Sequence, residues 1–358
     1  GVLQKEKAIC FLNQAQFHPL KYLTGLCKAI EEKGGKIFTC THAEKINSKG
    51  ITSSEGYTVK AKHIVAATNA PVNNLFTMFS KQYAYRTYVI GSIIKKCSIP
   101  KALWWDTGDF KSNLKIPPYH YVRIHPYNDD FDLLISGGED HPTANTTNSD
   151  VSEVNRYNLL EDWTRKFFPI DKVLYYWSGQ VLEPMDGIAF IGRNPFDKDC
   201  VYIITGDSGN GMTYCSFAGL LISDLINGKE NKWEKIYSPL RFTFKESAVA
   251  VQLVVDDFKN VLKKWFYTDC IELSAIKNGE AGIVKLDGKK CGAYRDASGK
   301  LFLVSAECSH LKCMVLWNND EKTWDCPCHG SRFTYQGKVI NGPANFDLPS
   351  YNEVELSN

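Results

Sequence analysis

The sequence has no apolar run approaching the ~20 residues that cross a bilayer; its longest, such as Ala248 to Val251 and Leu253 to Val255, are a handful of residues each. No membrane-spanning helix is therefore expected. It also lacks an excess of one charge sign: 42 Lys and Arg against 40 Asp and Glu give a net +2. The charges are interspersed, so the electrostatic footprint of a nucleic-acid or acidic-lipid binder is missing. There is no repeat of fixed period and no low-complexity tract. The opening Gly1-Val2-Leu3-Gln4-Lys5-Glu6-Lys7 has neither an initiating Met nor a basic segment leading into an apolar one. It reads as a cut end rather than a signal peptide.

What is present is ordinary globular composition, 44% hydrophobic and 23% charged, which excludes a disordered or collagen-like chain. A length of 358 residues predicts two or three separately cored units. Of twelve cysteines, eight are dispersed and four crowd between 308 and 328. Dispersed cysteines without an export signal read as reduced thiols of a cytoplasmic protein, whereas a cluster reads as metal or redox chemistry.

After His18-Pro19, Leu20, Leu23, Leu26, Ala29 and Ile30 follow helical spacing, and Gly34-Gly35 stops them. A strand over Lys36 to Thr41 and a hairpin turning at Ser54-Glu55-Gly56 are expected next. The nearly all-apolar His63 to Thr68 has the signature of a strand buried on both faces. Residues 83 to 137, rich in β-branched and aromatic types, predict an inserted antiparallel sheet. From Val201 a strand, a glycine turn (Thr205 to Thr213) and a helix to Ile226 close the first unit. Phe244, Ala248, Val251, Val255, Phe258, Leu262 and Trp265 mark one face of a helical connector. Short strands and Gly-containing turns then predict a small all-β domain. The fold class is α/β with an inserted β domain, plus a C-terminal all-β domain.

Cys308-Ser309-His310 and Cys326-Pro327-Cys328-His329, fifteen residues apart, form two Cys-plus-His boxes. Thiolates on one iron and imidazoles on the other is the donor set of a Rieske-type binuclear cluster, in which neutral ligands make reduction easier. A tetrahedral Cys₂His₂ zinc site and unligated core residues are the alternatives. The boxes resemble those of Rieske [2Fe–2S] proteins, and Gly342-Pro343-Ala344 resembles the family's cluster-covering loop. The resemblance implies Cys308 and Cys326 as ligands of one iron, His310 and His329 as ligands of the other, and a disulfide between Cys313 and Cys328. It also implies that the Ser331 hydroxyl hydrogen-bonds to cluster sulfur, while Phe333 stands where many relatives carry a Tyr. With one donor missing, the potential is expected below the upper end of the Rieske range of about −150 to +300 mV. The ionisable ring N–H of each histidine ligand couples reduction to protonation at alkaline pH.

The glycine turn gathers backbone N–H groups and a helix start, suited to a phosphate or an anionic ring. Phe17-His18-Pro19, Ala61 to Ala70, Asp186 to Gly192 and Thr205 to Thr213, in that order, resemble the D-amino-acid-oxidase-like class of FAD-dependent oxidoreductases. That resemblance implies flavin contacts at Gly206, Asp207, Gly209, Asn210, Gly211, Met212 and Thr213, and at Ala67 and Thr68, although Asn69 replaces a frequent Gly. The GxGxxG unit that opens such enzymes has no match here, so the chain reads as an N-terminally truncated fragment whose parent binds FAD. The domains expected are 1–228 for the flavoprotein unit, with a substrate subdomain at about 83–180, 229–268 for the helical connector, and 269–358 for the Rieske domain.

Arg86 and Arg123 are candidate carboxylate clamps on the middle sheet, weighed against a role in surface ion pairs, and His18, His42, His63 and His141 have no evident partner. The catalytic residues stay unassigned. Together these readings predict an oxidoreductase passing electrons from an amine-, amino-acid- or hydroxy-acid-like substrate through FAD and the cluster to an unknown acceptor. The competing reading is an electron carrier on a non-catalytic flavoprotein-like scaffold. A Rieske oxygenase is disfavoured, because only 29 residues follow His329 and no two-His–carboxylate set stands upstream.

Overall fold

A computed structural model describes residues 8–73, 78, 81–108, 119–143, 155–241 and 270–351. The expected connector helix, marked by Phe244 to Trp265, lies outside them. Helix α1 (Pro19–Glu32) starts where Pro19 presets its φ and His18 Nδ1 accepts from Lys21 N–H. Its apolar stripe is on the surface of the described structure, with Leu20 68% and Leu26 46% exposed. Strands β1 (Ala43–Asn47), β2 (Gly50–Ser53) and β3 (Thr58–Val59) form a meander. The strand expected at Lys36 to Thr41 does not form; Cys40 takes a φ of +51°, and pairing begins at Ala43.

Strand β4 (Ile64–Ala66) is shorter than expected and is not buried on both faces, since it lies at a sheet edge with Val65 40% exposed. The long strand β5 (Gln82–Lys95) is followed by β6 (Trp104–Trp105), β7 (Tyr121–Pro126), β8 (Phe131–Pro142), helix α2 (Arg156–Phe167) and β9 (Val173–Pro184). The expected antiparallel sheet is these five strands in the order β6-β7-β8-β5-β9. Helix α2, capped by the Asn155 side chain, covers one of its faces through Leu160 and Trp163. Strands β10 (Phe190–Arg193) and β11 (Val201–Thr205) join β4 in a second sheet, with β11 parallel to β4. Helix α3 (Gly211–Ile226) packs Ala218, Leu221 and Leu225 onto that sheet, and α4 (Glu234–Tyr237) follows.

The C-terminal unit is all β. Strands β12 (Ala281–Leu286), β13 (Lys289–Arg295), β14 (Leu301–Ser305) and β19 (Ser350–Tyr351) make one sheet. Strands β15 (Leu316–Asn318), β16 (Thr323–Asp325), β17 (Arg332–Thr334) and β18 (Val339–Asn341) make the other. Trp324, fully buried, lies against Gly292, where a Cβ would stand 2.9 Å from the indole. Only a glycine lets the two sheets approach there.

The unit docks on the β5–β9 face that α2 also covers. Glu321, on the β15–β16 turn, accepts from Arg86 Nε at 3.1 Å, Arg332 Nη2 at 2.6 Å and Ser178 Oγ at 2.5 Å. Arg86 is thus neither an exposed surface pair nor a carboxylate clamp; it is 3% exposed and reaches across the domain boundary. Removing Glu321 strands the buried Arg86 guanidinium and leaves Arg332 with Asp325 alone as its ion-pair partner. Glu321→Ala is expected to cost about 3 kcal/mol of stability, measured by urea unfolding.

The other histidines also acquire partners. His18 and His125 rings meet edge-on at 5.0 Å, and His141 Nε2 lies 3.2 Å from the Tyr88 hydroxyl. His120 stacks on Trp163 at 4.0 Å between Asp106 Oδ2, 2.8 Å away, and Glu139 Oε1, 3.1 Å away. Burial opposes its charging, but the two carboxylates outweigh that and raise its pKa. A raised histidine stabilises fully below its unfolded value of about 6.5, and the contribution is lost as pH rises through the folded value. His120→Gln should therefore destabilise more at pH 5.5 than at pH 9, as chemical denaturation at the two pH values will show.

Candidate functional site

The two Cys-plus-His boxes occupy facing loops, one between β14 and β15 and one between β16 and β17. Each loop is closed by its own backbone. Cys308 N–H donates to Cys313 O at 2.8 Å and Lys312 N–H to Cys308 O at 3.0 Å; Cys326 N–H donates to Ser331 O at 2.7 Å and Gly330 N–H to Cys326 O at 3.0 Å. A disulfide joins Cys313 to Cys328 and ties the loops together. Their sulfurs lie within 4.8 Å of Cys326 Sγ but, being bonded to each other, offer no thiolate.

Inside this clamp the four candidate ligands lie as two pairs, one of thiols and one of imidazoles. Cys308 and Cys326 are buried and share a hydrogen bond. Accepting from Cys326 draws Cys308 down to about 7 despite its burial, and the N–H groups of His310 and Leu311 act in the same direction. Cys326, which gives that hydrogen bond, is pushed up by it and by burial. The His310 and His329 rings meet edge-on with centroids 5.1 Å apart. Burial lowers His310 to about 4, and burial together with His310 lowers His329 to about 3. Both imidazoles are therefore neutral at pH 7, the state in which a ring nitrogen binds metal. Two adjacent thiols and two adjacent neutral imidazoles on disulfide-braced loops fit a binuclear cluster with one sulfur pair and one nitrogen pair.

Ser331 is fully buried; its hydroxyl accepts from Ala344 N–H at 3.0 Å and reaches the Cys308 sulfur. Phe333, also fully buried, packs in the core of the unit with Trp324 and has no hydroxyl to offer.

The segments expected at the flavin converge as well. Parallel pairing sets the ends of β4 and β11 side by side, the place where open α/β sheets bind ligands. Ala67 and Thr68 leave β4 exposed, Asn69 turns the chain at a φ of +58°, and Thr205 Oγ1 donates to Asn69 O at 2.6 Å. From there Gly206 and Gly209, with φ values of +69° and +72°, bend the chain into α3. Asn210, at the cap position, makes no side-chain capping bond, so the start of α3 at Gly211, Met212 and Thr213 is not capped by it. The Asp207 carboxylate lies where a Cβ on Gly211 would be, and burial raises its pKa. A helix start without a side-chain cap suits the polar edge of an anionic ring.

Two features carried no sequence signal. Ser208, within the turn, donates to Glu183 Oε2 of β9 at 2.6 Å. A cavity of about 620 Å³ opens between the α/β layer and the 342–347 loop, lined by His42, Glu44, Thr68, Val72, Gly342 and Asn345. Asn345 Nδ2 bridges it to Glu44 O at 3.0 Å.

An α/β layer with a crevice at its strand ends, joined to a β unit that clamps two thiols and two imidazoles, defines a two-cofactor redox protein. A family model described as FAD dependent oxidoreductase matches residues 4–225, and one described as Rieske [2Fe-2S] domain matches 267–352. The chain belongs to the FAD dependent oxidoreductase family and carries a C-terminal Rieske [2Fe-2S] domain. These assignments imply FAD and a [2Fe–2S] cluster as its cofactors. It is similar, at 33% identity over 348 residues, to YhfW of Bacillus subtilis, a protein whose Rieske 2Fe-2S description is itself provisional; the match covers 96% of this chain and 65% of that protein. The chain thus spans just under two thirds of that relative's length. The Rieske part is 37% identical over 78 residues to the cytochrome b6-f complex iron-sulfur subunit of Chlorobaculum tepidum, covering 22% of this chain and 42% of that one. Glycine oxidase from Geobacillus kaustophilus aligns at 19% identity with a TM-score of 0.45, over 62% of this chain and 57% of that chain. Among the described residues no helix is long and apolar enough to cross a membrane.

Ser331→Ala removes one hydrogen bond directed at sulfur. Protein-film voltammetry should find the potential lowered by roughly 20–65 mV, the one-electron equivalent of a net hydrogen bond of about 0.5–1.5 kcal/mol.

Proposed function

We propose that this chain is an oxidoreductase that takes electrons from an amine-, amino-acid- or hydroxy-acid-like substrate at its flavoprotein unit and delivers them through its Rieske domain to a separate acceptor. Bound FAD supplies two-electron oxidation of an organic substrate, and a bound [2Fe–2S] cluster supplies one-electron transfer. Cys308 and Cys326 hold one iron, His310 and His329 the other, and the Cys313–Cys328 disulfide keeps the loops closed. Ala67, Thr68 and the Gly206, Asp207, Gly209, Asn210, Gly211, Met212 and Thr213 turn lie against the flavin. The working units are residues 1–228 and 269–358, joined by 229–268. Eight cysteines among the described residues are neither disulfide-bonded nor assigned to iron; they favour a reducing compartment, and we place the protein in the cytoplasm.

The observation that carries this reading is where the cluster loops rest. Gln180 Nε2 donates to Gly330 O at 2.5 Å, and a Cβ on Gly330 would collide with Gln180 and Ala84. Gly342, in the cluster-covering loop, sets its open side 3.8 Å from Ala70 Cβ and 3.7 Å from Val72 Cγ1. Ala70 is two residues from Thr68. The covering loop therefore sits beside the segment that follows Thr68, and the ligand-bearing loop rests on β5 and β9, whose Ala84 and Leu182 pack with Ala70; this proximity supports transfer between the two centres.

To test it, the intact protein supplied with FAD is photoreduced anaerobically while the cluster is followed by electron spin resonance. Flavin reduction followed by appearance of the reduced-cluster signal is expected, slowed at least tenfold in Gly330→Val. A cluster that stays oxidised beside fully reduced flavin would favour a carrier on an inert scaffold.

A further inference from the structure

The face of the five-stranded sheet opposite the Rieske domain carries an acid pair that the electron relay does not use. Tyr83, Tyr85 and Thr87 on β5 share that face with Tyr121 on β7 and Glu183 on β9, as the register Tyr83↔Glu183 and the chain of pairs Val89↔Gly137↔Tyr121 require. Asp140 is delivered to it by an irregularity. Strand β8 bulges opposite Arg86–Tyr88, and Glu139 takes a φ of +57°, a left-handed conformation disfavoured for a residue with a Cβ. The bulge sends two consecutive acids opposite ways. Glu139 goes to His120 and Arg156, whereas Asp140 goes to Thr87 and Tyr119.

Asp140 is only 6% exposed, and its Oδ1 has no hydrogen-bond partner among the described residues. It feels the charge of Glu183, and Glu183 in turn accepts from Ser208 within the flavin-facing turn. A buried carboxylate oxygen without a partner among the described residues, a second carboxylate whose charge it feels and the neighbouring Tyr119 make a receptor for a cation. The carboxylates supply charge-assisted acceptors and the rings supply their negative faces. Such a site disfavours an incoming carboxylate. The cation of β7 on this face, Arg123, is turned toward the amino-terminal segment, where its Nη2 donates to Phe17 O at 3.0 Å.

We infer that Asp140 and Glu183, walled by Tyr119 and Tyr121, bind the protonated nitrogen of the substrate, so that the substrate class is an alkyl or arylalkyl amine rather than a hydroxy acid. This rests on the proposed flavin oxidoreductase function, and it is read by binding rather than by turnover, so either idea can fail alone. Calorimetric titration at pH 8 of the intact protein with FAD, using benzylammonium chloride and sodium benzoate as probes, tests it. Benzylammonium is expected to bind and benzoate not to. Asp140→Asn should weaken benzylammonium about 10- to 100-fold, the equivalent of a charge-assisted hydrogen bond, while the visible spectrum of the cluster stays unchanged. Glu183→Gln carries the same comparison if Asp140→Asn does not fold. Benzoate binding as tightly as the amine, no binding of benzylammonium, or full affinity in both folded variants would overturn the assignment.

Discussion

Two guanidinium groups buried against a single carboxylate hold the molecule in its working arrangement. Arg86 comes from the five-stranded sheet and Arg332 from the Rieske domain, and Glu321 accepts from both, with Ser178 and Tyr157 hydroxyls completing its shell. Arg332 also meets Asp325 at 2.8 Å, so positive and negative charges alternate through the boundary. Taking such charges out of water is costly, and only full pairing offsets the desolvation. The network therefore contributes less to stability than to geometry. It forms in one registration of the two units, and that registration sets Gly330 on Gln180.

The metal site depends on this indirectly and on its own loops directly. Backbone hydrogen bonds within each loop place Cys308 and Cys326 near one another before any ion is considered, and the disulfide prevents the loops from separating. Because burial keeps both histidines neutral, assembling the site requires few protons to be displaced from them. With Phe333 in place of a hydroxyl donor, Ser331 supplies a hydroxyl, beside the Cys326 thiol, toward the Cys308 sulfur.

Much of this was readable in the chain. The two boxes with the Pro343 loop pointed to the Rieske domain that the chain carries and to the ligands proposed for it, because metal ligation demands particular side chains at short, fixed spacing. The strand–turn–helix around Gly206 was equally plain, since positive φ angles select glycine. What escaped was long-range. Arg86 reads as any strand arginine until Glu321, 235 residues away, is placed beside it. Asp140 is invisible for a related reason: strict alternation would turn it to the opposite face, and a one-residue bulge overrides that alternation without leaving a composition signal. The strand expected at Lys36 to Thr41 failed for the converse reason, in that β-prone residues do not make a strand where the chain turns at Cys40.

The sheet is a partition with different chemistry on its two sides. Along β5, Ala84 and Arg86 address the Rieske domain, while Tyr85 and Thr87 address the opposite face, where the amine site is proposed. Alternation makes the two sets inseparable: loss of a single residue early in this strand would transpose them, turning aromatic rings to the Rieske domain and a guanidinium to the opposite face. Evolution of substrate preference is thereby confined to exchanges in place, and lengthening or shortening is left to the connections between strands.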